Sequence, residues 1–293
     1  MTRPKLLVVG LGSMGSMIAK RVGSFPTYQT SVFNRNPSVA EKHAQKYGAI
    51  VAPSLPQAVI ESDFVISVLT NSNAVHEVLK NLKASQMKSN AVWIDCTSGD
   101  PTETISNSML ADSLGMSFID CAVSGGPRGA DAGQLQSMVG GSLEVVEKAL
   151  AIIKLFSKDI QHLGPIGAGH AVKSINNSLL AANLILSSEA MVALKAYGCD
   201  VEKAAKAIAG GSGGSKVMSD RIPNFILNRK FDYGFSMAGL AKDVAIGHSL
   251  IESVGLRGGL VPEADRVIQR VMAELGPDAD HTEVIRWFER DRS

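Results

Sequence analysis

The chain has 293 residues, 45% of them hydrophobic and 19% charged, with a formal net charge of +1. That length allows two domains of ~100–200 residues each, and the balance predicts a well-buried core. The near-neutral charge leaves no basic footprint for nucleic acid, and no uninterrupted apolar run reaches the ~18–20 residues of a membrane span. Cys96, Cys121 and Cys199 are widely spaced without a C-x-x-C pair, which argues against a zinc site or a disulfide framework. Such thiols suit a reducing compartment, and a strand-like run starting at Lys5 leaves no room for a signal peptide. The expected location is therefore cytoplasmic, or an organelle matrix if a presequence has been removed.

Lys5 to Val9 is a short β-rich apolar run, read as a buried parallel strand. It leads into Gly10-Leu11-Gly12-Ser13-Met14-Gly15, and helical spacing follows from Ser16 to Val22. A G-x-G-x-x-G between strand and helix has the context of the dinucleotide fingerprint. Gly10 permits the tight turn, Gly12 lets backbone approach a pyrophosphate, and Gly15 allows close helix–strand packing. The helix N-terminus supplies free N–H groups for phosphates. A plain glycine-rich turn is the bland alternative.

A second strand, Thr30 to Phe33, ends at Asn34-Arg35-Asn36-Pro37, where an NAD enzyme would place an acidic residue against the ribose 2′-hydroxyl. None is present. Asn34 can bond the ribose without repelling a 2′-phosphate, and Arg35 can pair with that phosphate or stack on adenine. NADP is the expected cofactor, with NAD open if Arg35 serves only to stack.

Helix and strand then alternate: a helix over Ser38–Tyr47, a strand over Asp63–Leu69, a helix over Asn73–Leu82 and a strand over Ala91–Ile94. A helix over Thr102–Leu114 and a strand over Ser117–Asp120 follow. This pattern predicts a mostly parallel sheet covered on both faces, with ligands at the carboxyl ends of its strands. Those ends nominate Leu69, Thr70 and Asn71, then Thr97 and Ser98, then Val123 to Gly126. Within the last, Ser124-Gly125-Gly126 offers a hydroxyl and unobstructed N–H groups suited to a carboxylate, or is an ordinary surface turn.

Further on, Gln136–Gly141 and Ile160–Leu163 read as strands around a helix over Leu143–Phe156. After Gly164 to Gly169 the pattern becomes nearly all helix: His170–Tyr197, Val201–Ala209, Lys216–Asp220, Met237–Ser253, Val261–Leu275 and Thr282–Asp291, the last capped by Asp280. Lys173 and Asn177 share one face of the first of these helices. A lysine at a hydride-transfer centre can give a proton to a carbonyl oxygen or take one from a hydroxyl. By spacing alone, however, Lys173 reads as a solvated helix-face lysine.

Together these motifs resemble the β-hydroxyacid dehydrogenase family, whose members include 3-hydroxyisobutyrate dehydrogenases, glyoxylate/succinic semialdehyde reductases and L-threonate dehydrogenases. The likeness runs through essentially the whole chain. Gly10 to Gly15 is similar to the family's cofactor fingerprint, and Asp120 to Gly126 with Ala130 and Gly133 to its substrate-binding segment. Gly167 to Asn177 is similar to its catalytic segment, which implies Lys173 as acid/base and Asn177 as the orienting amide. Gly239-Leu240-Ala241-Lys242-Asp243 is similar to a late motif that implies Lys242 near the nicotinamide. Departures are Ala122 for a common proline, Thr70-Asn71 for a proline-containing turn, and the exchange of hydroxyl residues in Asp95-Cys96-Thr97-Ser98, which passes a cofactor contact to Ser98. The segment Gly210 to Ser215 is unusually glycine-rich; Ser212 and Lys216 either meet substrate or belong to a flexible connection.

The expected architecture is α/β: a Rossmann-type doubly wound sheet over residues 1–165, then an all-α substrate and oligomerisation domain over 166–293 that begins with a long helix. The expected activity is the NADP-preferring interconversion of a small β-hydroxy acid and its semialdehyde or keto form, in a homodimer or homotetramer without nucleic-acid, membrane or metal partners. An imine reductase is a rival in the same class, and a non-catalytic nucleotide-binding module is one outside it. Lys173 counts against both.

Overall fold

The computed structural model describes residues 3–83 and 90–290. Its contacts divide the chain into two units, Met1–Lys173 and Ser174–Ser293.

Among the described residues the first unit carries eight strands: β1 (Lys5–Val9), β2 (Gln29–Phe33), β3 (Ile50–Val51), β4 (Phe64–Ser67), β5 (Val92–Asp95), β6 (Ser117–Ser124), β7 (Leu135–Gly140) and β8 (Ser157–Gly164). They form one sheet in the order β3-β2-β1-β4-β5-β6-β7-β8. Neighbours are parallel except for the antiparallel pair β6 and β7. The crossovers are α1 (Ser13–Gly23), α2 (Pro37–Tyr47), α3 (Leu55–Glu61), α4 (Ser72–Lys80) and α5 (Pro101–Ser113), followed by α6 (Gly126–Ala132) and α7 (Leu143–Ile153). This is the doubly wound α/β fold that the alternation predicts.

Both faces of the sheet are buried, as the unbroken apolar strands require. Leu6 and Val8 of β1 join one apolar cluster with Ile66, Ile94 and Ile119, while Leu7 and Val9 join another with Val65, Trp93 and Phe118. Successive strand residues point to opposite faces, so one strand feeds two cores.

Some elements differ from expectation for identifiable reasons. The strand over Ser117–Asp120 continues to Ser124, because Cys121 to Ser124 pair antiparallel with Gln136 to Val139. The Ser-Gly-Gly turn then opens directly into α6, a helix too short to show periodicity. β3 and α3 escape the sequence reading for the same reason, at two and seven residues.

Helix α8 (Ala168–Tyr197) begins in the first unit and continues into the second. By length and composition it is apolar enough to cross a membrane, at 30 residues with a mean hydropathy of 1.4 in its most apolar stretch, contrary to the expectation that no apolar run is long enough. A third of that stretch is buried, and Leu184 and Met191 cluster with Leu240, Val244, Ile268 and Val284 of the second unit.

That unit continues with α9 (Val201–Ala209), a π-helical stretch Val217–Ile226, α10 (Met237–Ser253), α11 (Leu260–Leu275), a 3-10 turn His281–Glu283 and α12 (Val284–Arg290). The bounds of α9 and α10 match the sequence reading, and Asp200 and Ser236 cap their starts with side-chain oxygens. The π-helical stretch outruns the expected Lys216–Asp220 and passes through Pro223, which sequence rules read as a stop. Its bonding includes a wider i to i+5 contact, Leu227 N–H to Ile222 O at 2.8 Å. The terminal helix expected from Thr282 is in fact a capped 3-10 turn followed by α12; its expected last residue, Asp291, lies outside the described residues.

Candidate active site

The fingerprint loop is built by close packing. Gly10 has φ +93°, and a Cβ there would lie 2.3 Å from the Val68 carbonyl oxygen. At Gly15 it would lie 2.1 Å from the Gly10 carbonyl oxygen, so α1 rests directly on the turn that precedes it. Gly12 is the opposite case: an added Cβ would meet nothing within 4 Å. Gly12 is also the N-cap of α1 and supplies no side-chain cap, and the first turn has no acidic residue. Leu11 is buried, Ser13 exposed and Met14 half-buried. The result is an open N-terminus with free N–H groups, which fits an anionic pyrophosphate.

The neighbouring strand ends are tied together by a buried polar chain. Trp93 Nε1 donates to Ser67 Oγ at 2.7 Å, and Ser67 Oγ donates to Asp95 Oδ1 at 2.8 Å. Thr97 N–H donates to the same oxygen at 3.0 Å, while Thr97 Oγ1 accepts from Leu69 N–H at 3.0 Å. Thr97 is thus consumed in holding the turn of Leu69 and Thr70, and half-buried Ser98 is the hydroxyl beside it. Burial pushes the Asp95 carboxyl above the usual aspartate range, against the opposing pull of His170 and of the bonds from Thr97 and Ser67. Cys96 is held well above the usual thiol range, first by its hydrogen bond with Cys121 and then by burial. It is a packed thiol rather than a nucleophile.

The remaining sequence-nominated groups fall on β6, α8 and α10. Ser124 ends β6, and Gly125 and Gly126 turn into α6. Lys173 is half-buried and ends the first unit, while Asn177 is buried one helical turn later at the start of the second. In the second unit Asn177 Nδ2 donates to Asp243 Oδ2 at 2.6 Å, and Asn177 Oδ1 accepts from Asn176 Nδ2 at 3.0 Å. Lys242 Nζ lies 3.1 Å from Asp243 Oδ1. A buried carboxylate therefore anchors the Asn177 amide and leaves it one N–H to offer.

The family descriptions "NAD binding domain of 6-phosphogluconate dehydrogenase" and "NAD-binding of NADP-dependent 3-hydroxyisobutyrate dehydrogenase" match residues 5–164 and 167–288. The 2-(hydroxymethyl)glutarate dehydrogenase of Eubacterium barkeri is 33% identical over 246 residues, which is 83% of this chain and 80% of that protein. The chain belongs to the β-hydroxyacid dehydrogenase family. The NAD-dependent L-serine dehydrogenase of Pseudomonas aeruginosa is 30% identical, across 85% of this chain and 86% of that protein. The solved structure of Mycobacterium tuberculosis 3-hydroxyisobutyrate dehydrogenase with L-serine superposes with a TM-score of 0.91 at 27% identity, covering 98% of this chain and 99% of that one.

As a β-hydroxyacid dehydrogenase the protein is an NAD(P)-dependent oxidoreductase, and the open turn at Gly12 fits that cofactor. Two residues after β2 border this loop. Asn34 Oδ1 accepts from Leu11 N–H at 3.0 Å and Asn34 Nδ2 donates to Asn36 O at 3.1 Å, so this amide first clamps the fingerprint loop and keeps one N–H for a ribose. Arg35 is exposed and makes no hydrogen bond or ion pair among the described residues. Sequence reasoning assigned no role to Asp95, Ser67, Trp93 or Asp243. The available signal was a carboxylate at a strand end or beside a motif lysine, and it does not name a partner.

Proposed function

We propose that this dehydrogenase interconverts a carboxylate bearing a hydroxymethyl group on its α-carbon and the corresponding semialdehyde, with NADP(H) preferred over NAD(H). The printed names of its relatives support the substrate class: 2-(hydroxymethyl)glutarate, 3-hydroxyisobutyrate and L-serine all carry that –CH(CH₂OH)–COO⁻ unit. The structural observation that carries the reading is the Asn177 amide, anchored by buried Asp243 one helical turn from Lys173.

In this reading residues Gly10 to Gly15 hold the pyrophosphate, with Leu69, Thr70, Ser98 and Lys242 as further cofactor contacts. A bound nicotinamide supplies or accepts the hydride. Ser124, Gly125 and Gly126 take the carboxylate through a hydroxyl and turn N–H groups. Asn177 donates its remaining N–H to the reacting oxygen. Lys173 gives that oxygen a proton in reduction and removes it in oxidation. The NADP preference rests on exposed Arg35 and on the lack of an acidic residue at the end of β2, since a free guanidinium pairs with a phosphate in two-point fashion. Val172, Leu179 and Leu186, exposed at seven-residue intervals on α8, support self-association through that helix.

The test is NADPH oxidation with methylmalonate semialdehyde, tartronate semialdehyde, glyoxylate and succinic semialdehyde, in wild type and Lys173→Ala. The first two substrates should be preferred, and the substitution should cost about 10³-fold in kcat. Unchanged activity in Lys173→Ala would overturn the mechanism, and a preference for succinic semialdehyde the substrate class. Arg35→Ala should lower kcat/KM with NADPH about tenfold and leave NADH unchanged; a wild type that favours NADH overturns the cofactor preference.

A further inference from the structure

Asp120 is a carboxylate in the middle of a sheet strand, fully buried. A charge in such a place persists only when its oxygens are matched by donors. Here both are matched by one partner: Oδ1 accepts from Gly167 N–H at 2.7 Å and Oδ2 from His170 N–H at 2.9 Å. These are N–H groups at the start of α8, of the kind a helix leaves without internal partners. A negative charge also suits the positive end of a 30-residue helix.

The fit around this contact has no slack. A Cβ on Gly140 of β7 would lie 2.4 Å from Asp120 Oδ1 and 2.8 Å from Ala168 N. A Cβ on Gly169 would lie 2.8 Å from Asp120 Oδ2 and 2.2 Å from the Met138 carbonyl oxygen. Bare backbone is what lets the first turn of α8 lie directly on β6 and β7. The His170 side chain adds a second tether, with Nδ1 2.7 Å from Thr104 Oγ1 of α5.

Position gives the clamp its meaning. Lys173 follows His170 by three residues on the same helix, and Ser124 follows Asp120 by four along the same strand. We infer that Asp120 is the positioning residue of the reaction: by gripping the first turn of α8 from inside β6, it sets the location of Lys173 relative to the Ser124 turn. The inference rests on the reading of Lys173 as the acid/base. Both Asp120 oxygens are taken up by the first turn of α8, so its effect on the reaction would pass through Lys173.

A cap that merely stabilised the fold would lower the melting temperature without regard to Lys173. A positioning residue should act through it, and a double-mutant cycle separates the two. Wild type, Asp120→Asn, Lys173→Ala and the double variant are compared for kcat, KM, NADPH affinity by fluorescence and thermal unfolding. Asn keeps the shape but can accept at one position only. Asp120→Asn is expected to lose about 100-fold in kcat with KM and NADPH affinity unchanged, since a displaced acid costs rate before binding. The double variant should be no slower than Lys173→Ala alone. Added methylamine, which needs no helix to place it, should restore Lys173→Ala and the double variant equally. Gly140→Ala, which keeps the carboxylate but crowds it, goes through the same cycle in case Asp120→Asn does not fold.

Losses that multiply in the double variant, or a double variant that methylamine rescues less well, would overturn the inference. So would Asp120→Asn with unchanged kcat. Retained activity in Lys173→Ala instead sinks the acid/base reading on which the inference stands, a result distinct from the others because it appears with Asp120 intact.

Discussion

In the sheet unit the groups proposed to face a ligand are mostly backbone and strand ends, whereas in the helical unit they are side chains. The fingerprint works by what its glycines lack: Gly10 and Gly15 have no room for a Cβ and Gly12 has nothing above it. The helical unit presents Asn177 from α8 and Lys242 from α10, both referred to one buried carboxylate, Asp243. A backbone site is specified by steric exclusion and tolerates no added atom. A side-chain site is specified by hydrogen bonds, and it loses function in steps as partners are removed.

The sharpest way to break this comparison is Gly15→Ala. The new methyl would fall 2.1 Å from the Gly10 carbonyl oxygen, in backbone that cannot yield cheaply. It should cost about 3 kcal/mol of stability, read by urea unfolding, and abolish NADPH binding. If Gly15→Ala binds NADPH normally, the loop is not held by exclusion.

Asp243→Ala tests the other half. It leaves the Asn177 amide without its buried acceptor, a loss of about 1–3 kcal/mol. Under the proposed function kcat should fall by more than NADPH affinity does, because the Gly10–Gly15 fingerprint is untouched even though Lys242 loses its ion pair with Asp243. A fall in NADPH affinity as large as the fall in kcat would mean that Asp243 serves cofactor binding instead.

The smallest effect compares a carboxylate from each unit by pH. For Asp280, burial alone would raise the pKa, but hydrogen bonds from His281, Thr282 and Gly234 outweigh it and bring it down to about 2. Its stabilisation is therefore present above the usual aspartate range and lost as pH falls toward 2. Asp280→Asn should be less stable near neutrality by about 1 kcal/mol, after allowance for solvent screening, and the gap should close on acidification. Asp95 has the opposite sign. Burial raises its folded pKa, so the folded state holds the proton more tightly and wild type loses stability as pH rises above the usual aspartate range. Asp95→Asn keeps the acceptor for Ser67 and Thr97 and should remove that loss. Thermal unfolding across the acidic range checks both, and slopes of the same sign would contradict the assignment.

Much of this was legible in the residues. The strand Lys5–Val9, the glycine spacing after it and the alternation of helix and strand all report local requirements: apolar burial on two faces, a turn without side chains, a helix start. The cap Asp280 falls in the same class, since it bonds the Thr282 N–H only two residues away. The two-residue β3 and the seven-residue α6 were not legible, being shorter than the periods by which elements are recognised. The helix read as ending at Asp220 runs on through Pro223 to Ile226, where Val217, Ile222 and Ile226 pack into the helical core.

By itself, the sequence determined the fold class, the order of the elements and the identity of the chemically able residues, including the turn of helix between Lys173 and Asn177. Tertiary structure decided which buried carboxylate each of them answers to. Asp120 finds its partners 47 and 50 residues away, and Asp243 finds Asn177 at a distance of 66 residues. Local propensity carries no information over such separations. Those partners were set by which strand lies beside which helix, and by the requirement that a buried charge be met by donors wherever the fold supplies them.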